Sequence, residues 1–131
     1  MLTISELQNI AQERLKESEV LFGANRYDGA MYLCGYAVEL TLKARICQTL
    51  GWSGYPSTRK EFQSYQSFRT HNLEVLLTLS GIKNKIKASF LTEWSVVASW
   101  DTEMRYRPIG HVSQTEAKSM IDSARTLLGV L

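Results

Sequence analysis

The chain has 131 residues, 44% of them hydrophobic and 21% charged, with a formal net charge of +2. That is enough for one globular domain with its own core, and it excludes a disordered segment, a disulfide-stapled mini-protein and a multidomain assembly. Eight glycines and two prolines are too few to punctuate a sandwich or barrel of many short strands, so a single, mostly helical domain over residues 1–131 is expected.

The total charge is too small to announce a nucleic-acid or membrane binder, but it is unevenly spread. Residues 59–111 carry eight basic and five acidic side chains, whereas residues 1–58 carry five and six. Any electropositive face is therefore built mainly by the middle of the chain. Cys34 and Cys47 would sit roughly 20 Å apart on one helix at about 1.5 Å per residue, too far to pair, and their apolar flanks suggest buried thiols. The first residues lack a basic segment followed by an apolar run, and nothing approaches the ~20 apolar residues of a membrane span, so a cytoplasmic location is expected.

Thr3 and Glu6 have capping-box spacing, which predicts a helix from about Ser5 to Gly23-Ala24-Asn25. Ile4, Leu7, Ala11, Leu15, Ser18 and Phe22 form its inner stripe. A second helix runs from Asp28 to about Leu50 and is apolar nearly all round, as a central helix should be. Gly35 within it costs ~1 kcal/mol of helix propensity, a cost that close packing would offset. Gly51 suits the C-cap. Residues 51–70 read as a long loop, and long loops are uncommon unless functional or mobile. His71-Asn72 can cap a short third helix that Gly81 stops. A fourth helix is predicted from about Lys83 to Trp100, on the stripe Ile86, Phe90, Trp94 and Val97. Residues 101–112 are irregular, and a second capping box, Ser113 to Glu116, opens the last helix. The expected fold is all-α: an up-and-down bundle of four long helices plus one short helix.

No phosphate loop, dinucleotide fingerprint, zinc-binding pattern or nucleophile elbow is present, and neither a metal nor a cofactor is called for. Four places carry candidate chemistry. Glu39 and Lys43, four residues apart on the central helix, suit a structural ion pair or the polar floor of a ligand site. His71 suits helix capping or a role in ligand binding or proton transfer. Lys83 and Lys87 crowd the first turns of the fourth helix, against the macrodipole, so either a solvated face or phosphate binding accounts for them. Arg105, Tyr106, Arg107 and His111 fall within seven residues. Arginine binds phosphate and stays ionised, histidine carries protons near neutral pH, and arginine beside an aromatic ring is a common way to hold single-stranded nucleic acid.

The stretch from Arg26 to Ala44, which ends Gly35-Tyr36-Ala37-Val38-Glu39-Leu40-Thr41-Leu42-Lys43-Ala44, resembles the second-helix signature of HEPN domains. His71-Asn72-Leu73 through Leu76 resembles the family's His-x-Leu-x-x-Leu element, and Trp100 followed by Arg105-Tyr106 resembles its Trp…Arg-Tyr element. The resemblance implies a helical bundle that forms homodimers in prokaryotic toxin–antitoxin or defence systems, often beside a minimal nucleotidyltransferase. Some members are modules associated with nucleotides or nucleic acids. Others are metal-independent endoribonucleases with an Arg-x4-6-His motif, a spacing that Arg105 and His111 fit. A third reading of this chain is a purely structural scaffold that only dimerises. Tyr106 stands where the ribonuclease motif usually has a polar residue, and Pro108 and Gly110 interrupt a helix there.

Overall fold

The computed structural model describes residues 1–131. Helix α1, Ile4–Gly23, begins where Thr3 and Glu6 can cap it. The Thr3 hydroxyl accepts the Glu6 amide at 3.1 Å, and the Glu6 carboxylate accepts the Thr3 amide at 2.8 Å. Both bonds satisfy donors that lack an intrahelical partner. Helix α2, Tyr27–Leu50, follows after a turn and ends on Gly51, whose φ of 68° places it in the left-handed region that glycine enters without a Cβ clash.

α2 packs against α1, against α3 (Leu73–Ser80) and against α6 (Gln114–Leu128), which explains why it is apolar nearly all round. Its buried residues include Ala30, Cys34, Ala37, Val38, Leu42 and Ile46. Gly35 is the point of closest approach. A Cβ there would fall inside the indole of Trp100, so the ring lies directly on the α2 backbone. The indole nitrogen donates to the Tyr32 carbonyl at 3.0 Å, which fixes the ring's orientation. The residues after α5 are thereby pinned to the centre of the bundle.

The loop expected at 51–70 is organised by aromatic packing. Residues Leu2–Thr3 (β1) and Gly54–Tyr55 (β2) form a minimal antiparallel pair, with Leu2 opposite Tyr55. Two 3₁₀ turns follow, at Glu61–Ser64 and Gln66–Phe68. Tyr55 and Phe62 are buried, and Trp52 packs at 5.0 Å from both Tyr65 and Phe68. The buried Tyr55 hydroxyl donates to the Phe68 carbonyl, joining the two ends of the segment.

Asn72 caps α3 by accepting the Val75 amide at 3.1 Å, and Gly81 stops it at φ 79°. The continuous helix expected from Lys83 to Trp100 is broken at Phe90 into α4, Lys83–Ser89, and α5, Leu91–Val97. Phe90 has φ −134° and ψ 33°, outside the helical region. The predicted inner stripe nevertheless survives: Ile86, Trp94 and Val97 are buried and Phe90 is half-buried. The bend brings Trp94 against α3, where its indole nitrogen donates to Glu74 at 2.6 Å. That bond links residues twenty apart, and a periodicity argument cannot see it. The all-α bundle stands, with three long helices and three short ones. Ser113 and Glu116 form the expected second capping box, at the start of α6. No helix is long and apolar enough to cross a membrane.

Two outcomes test this packing. Gly35→Ala should lose ~1–3 kcal/mol in a denaturant melt despite alanine's better helix propensity, because the added methyl overpacks against Trp100. Cys34 and Cys47 are buried and unpaired, and burial pushes the Cys34 thiol up to about 12. A thiol reagent at neutral pH should therefore leave both unmodified in the native state and label them after unfolding.

Candidate functional site

One face of α2 presents Tyr32, Gly35, Tyr36, Glu39 and Lys43, spaced three or four residues apart so that they line up along the helix. Glu39 is the centre of this row. Its side chain is only 3% exposed, yet both carboxylate oxygens are satisfied: Lys43 Nζ lies 3.1 Å from Oε2 and His71 Nδ1 lies 2.8 Å from Oε1. Pairing on both sides is what makes a buried carboxylate tolerable. A carboxylate can only accept, so His71 Nδ1 carries the proton and donates it to Glu39. His71 is thus tied to α2, and Asn72 alone caps α3; the capping role considered for His71 is not the one its ring performs. Tyr36 packs edge-on between His71, at 6.2 Å, and Trp100, at 5.0 Å.

Two clefts open on either side of residues 69–71. The first, about 480 Å³, is lined by Lys43, Arg59, Phe62, Arg69 and His71 among others, and no carboxylate lines it. Arg59 and Arg69 are exposed, and neither is held in an ion pair. The Arg69 guanidinium lies over the Phe62 ring at 5.8 Å, a contact that steadies it without neutralising it. The second cleft, about 500 Å³, shares Arg69, Thr70 and His71 and ends on Trp100 and Asp101. A third opening of similar size beside Trp52 and Tyr65 has no cationic side chain and includes Glu61. Charge therefore distinguishes the first cleft, and its chemistry is that of an anion site: unpaired guanidinium groups, an ammonium and an imidazole around one volume.

The other side chains singled out in the sequence lie apart from this groove. Lys87 is engaged with Glu74 at 3.1 Å, and because α4 is short it stands in that helix's last turn, where the macrodipole favours it. Lys83 is half-buried and contributes to the field that, with the Trp94 bond and Lys87, holds Glu74 below the ordinary carboxylate range. Arg107 pairs with Asp101 at 2.9 Å. Tyr106 is 72% exposed and lies under the Arg105 guanidinium at 4.8 Å. Arg105 also reaches the Tyr32 hydroxyl at 3.5 Å. The bond from Tyr36, and then Arg105, hold the Tyr32 phenol below its usual range, while burial pushes Tyr36 up to about 12.

His111 has other partners. Its Nδ1 donates to the Pro108 carbonyl at 3.0 Å and lies 3.5 Å from Asp28, while its Nε2 is buried without a partner. Arg105 and His111 thus share no partner. Asp28, at the start of α2, accepts the Gly110 amide at 2.7 Å and the Val112 amide at 3.0 Å, clamping the end of the loop. Partial burial alone would raise the Asp28 carboxyl, but the two amides and His111 outweigh it and hold the group below its ordinary value of 3.8. The residues that build the groove from outside α2, Arg59 and Arg69, lie in the aromatic segment and carry no motif; the only sequence sign of them was the basic middle of the chain.

Residues 4–60 match the family model described as the HEPN domain. Over that segment the chain is similar to HEPN domains. The HEPN match takes in α1, α2 with Glu39 and Lys43, and the stretch as far as Lys60, so Arg59 is included, whereas His71, Arg105 and His111 lie beyond it. No curated protein and no solved structure matches the chain at a significant level. The HEPN match supports a nucleotide- or RNA-associated role in general terms.

The Asp28 clamp has a measurable consequence. A carboxylate with a depressed folded-state value contributes stability above its unfolded value and loses it as pH falls through the folded one. The 101–112 loop should therefore loosen only below pH 3.8, seen as faster proteolysis of that loop in an acid-active protease. Asp28→Asn, which can accept through only one side-chain atom, should cost ~1–3 kcal/mol at neutral pH and open the same loop.

Proposed function

We propose that this chain is a nucleotide- or nucleic-acid-associated interaction module that holds phosphate groups in the Arg59–Arg69–Lys43–His71 groove. The observation that carries this reading is charge. Three permanent cations and one imidazole line a cleft that has no carboxylate, and the one buried carboxylate behind it is already satisfied by Lys43 and His71.

The family resemblance extends the proposal to a setting. The module would act as a homodimer in a prokaryotic toxin–antitoxin or defence system, beside a minimal nucleotidyltransferase. The resemblance-based alternative, a metal-independent endoribonuclease using Arg105 and His111, draws no support from the hydrogen bonds of that loop, where His111 is committed to Pro108 and Asp28.

Fluorescence anisotropy with a labelled single-stranded RNA, at several salt concentrations, tests the groove. Binding should weaken in Arg59→Ala and in Arg69→Ala, with the salt slope reduced by about 1 for each phosphate contact removed. Arg107→Ala, on the other side of Asp101, should bind like the parent. Binding that ignores Arg59 and Arg69 overturns the reading. If a nucleotidyltransferase is captured by a chain that binds no nucleic acid, the dimerising-scaffold reading takes its place.

A further inference from the structure

Another cleft without a carboxylate opens on a different face of α2. Thr41, Ala44, Arg45 and Gln48, three or four residues apart on one stripe of that helix, form one wall. Gln8 and Gln12 of α1 form the next, and Leu128 and Leu131 close it with apolar surface. The volume is about 270 Å³, and Arg45 is the one charged side chain around it. Arg14, Arg107 and Arg125 each have a carboxylate within 2.9 Å, whereas Arg45 is in no ion pair. Its Nη1 makes a long contact of 3.4 Å to Gln48 Oε1, and its Nε is buried with no acceptor. A buried donor without a partner leaves its desolvation uncompensated. Nε and Nη2 together form an edge of the guanidinium that a carboxylate takes with two parallel bonds. The edge left free on Arg45 is therefore the one shaped for that group.

We propose that this cleft binds a small aliphatic carboxylate, held by Arg45 and by the side-chain amides of Gln8, Gln12 and Gln48. The three glutamines are exposed, so they move aside to admit the ligand and then donate to its oxygens. Thr41 does not donate, because its hydroxyl proton goes to the Ala37 carbonyl at 2.8 Å. One guanidinium among neutral amides balances a single negative charge, which suits a carboxylate better than a multiply charged phosphate. Ala44, Leu128 and Leu131 take the aliphatic part of the ligand. The volume lies just below the roughly 300–1,000 Å³ of sites for drug-sized ligands, as a short acid requires. Neither Arg59 nor Arg69 takes part, so occupancy here is independent of the phosphate-binding groove.

The test titrates hexanoate into the isotope-labelled full chain and follows chemical shifts by NMR, with folding checked by circular dichroism. Hexanoate should move the side-chain amides of Gln8, Gln12 and Gln48 and the Leu128 methyls along one saturable curve. A dissociation constant on the order of 1 mM is expected, which is what so small a ligand supports. Hexanamide keeps the tail and drops the charge, and should bind at least about tenfold more weakly. Arg45→Gln should weaken hexanoate by a similar factor. If Arg45→Gln fails to fold, Gln12→Leu, at an exposed position, carries the test and should weaken binding several-fold. Equal affinity for hexanamide overturns the proposal, because the cleft is then an apolar slot with no use for the charge. Binding undiminished by Arg45→Gln, or shifts confined to the surroundings of Arg59 and Arg69, overturns it too. So does the absence of a saturable shift up to ~20 mM, about twentyfold above the expected constant.

Discussion

The bundle depends on the contact between Gly35 and Trp100. A helix that presents a side chain at every position keeps a neighbouring indole at side-chain distance; here the missing Cβ lets the ring lie on the backbone, and the ring's N–H reaches the Tyr32 carbonyl. Trp100 stands between α5 and the loop that leads to α6, so this single approach anchors the second half of the chain to the middle of α2. Asp28 supplies the other anchor, at the start of α2, by taking two amides from the end of the same loop. Between these points the loop carries Arg105, Tyr106 and Arg107 outward.

The same helix face carries the site. One turn beyond Gly35 lies Glu39, a charge in a helix that is otherwise apolar inside. Burying it alone would cost several kcal/mol, and its two partners offset that cost while setting the position of the 69–72 segment. Lys43 comes from the same helix and was near by construction. His71 comes from thirty-two residues away, so the pair also fastens the end of the aromatic segment to α2. A structural charge pair and an oriented imidazole are here one arrangement. Tyr36 fills the space between His71 and Trp100, so the packing anchor and the polar centre brace each other.

Much of the helical architecture was legible in the residue order, because caps and breakers act within a few residues. Thr3–Glu6, Ser113–Glu116, Gly51 and Gly81 mark the ends where they were expected. The break at Phe90 was not legible, since the inner stripe is the same for one straight helix and for two helices joined by a bend. The Glu74–Trp94 bond across elements accompanies the bend. The site was legible in part. Glu39 and Lys43 stood out by spacing, and His71 as a lone histidine beside a cap. Lys87 and Arg107 drew attention for their charge, but the folded chain gives each a carboxylate partner. Arg59 and Arg69 passed unnoticed because nothing local distinguishes them.

The residue order by itself determined most of the helix ends, the central place of α2 and the close approach required at Gly35. These follow from periodicity, capping and side-chain volume, which operate over one or two turns. Only the tertiary structure decided which charges are left free. Pairing in the folded chain assigns Glu39 to His71, Glu74 to Lys87 and Asp101 to Arg107, and leaves Arg59 and Arg69 facing an open cleft. The near-neutral total of +2 conceals this, because a net charge counts side chains whereas a binding field depends on which of them remain unpaired.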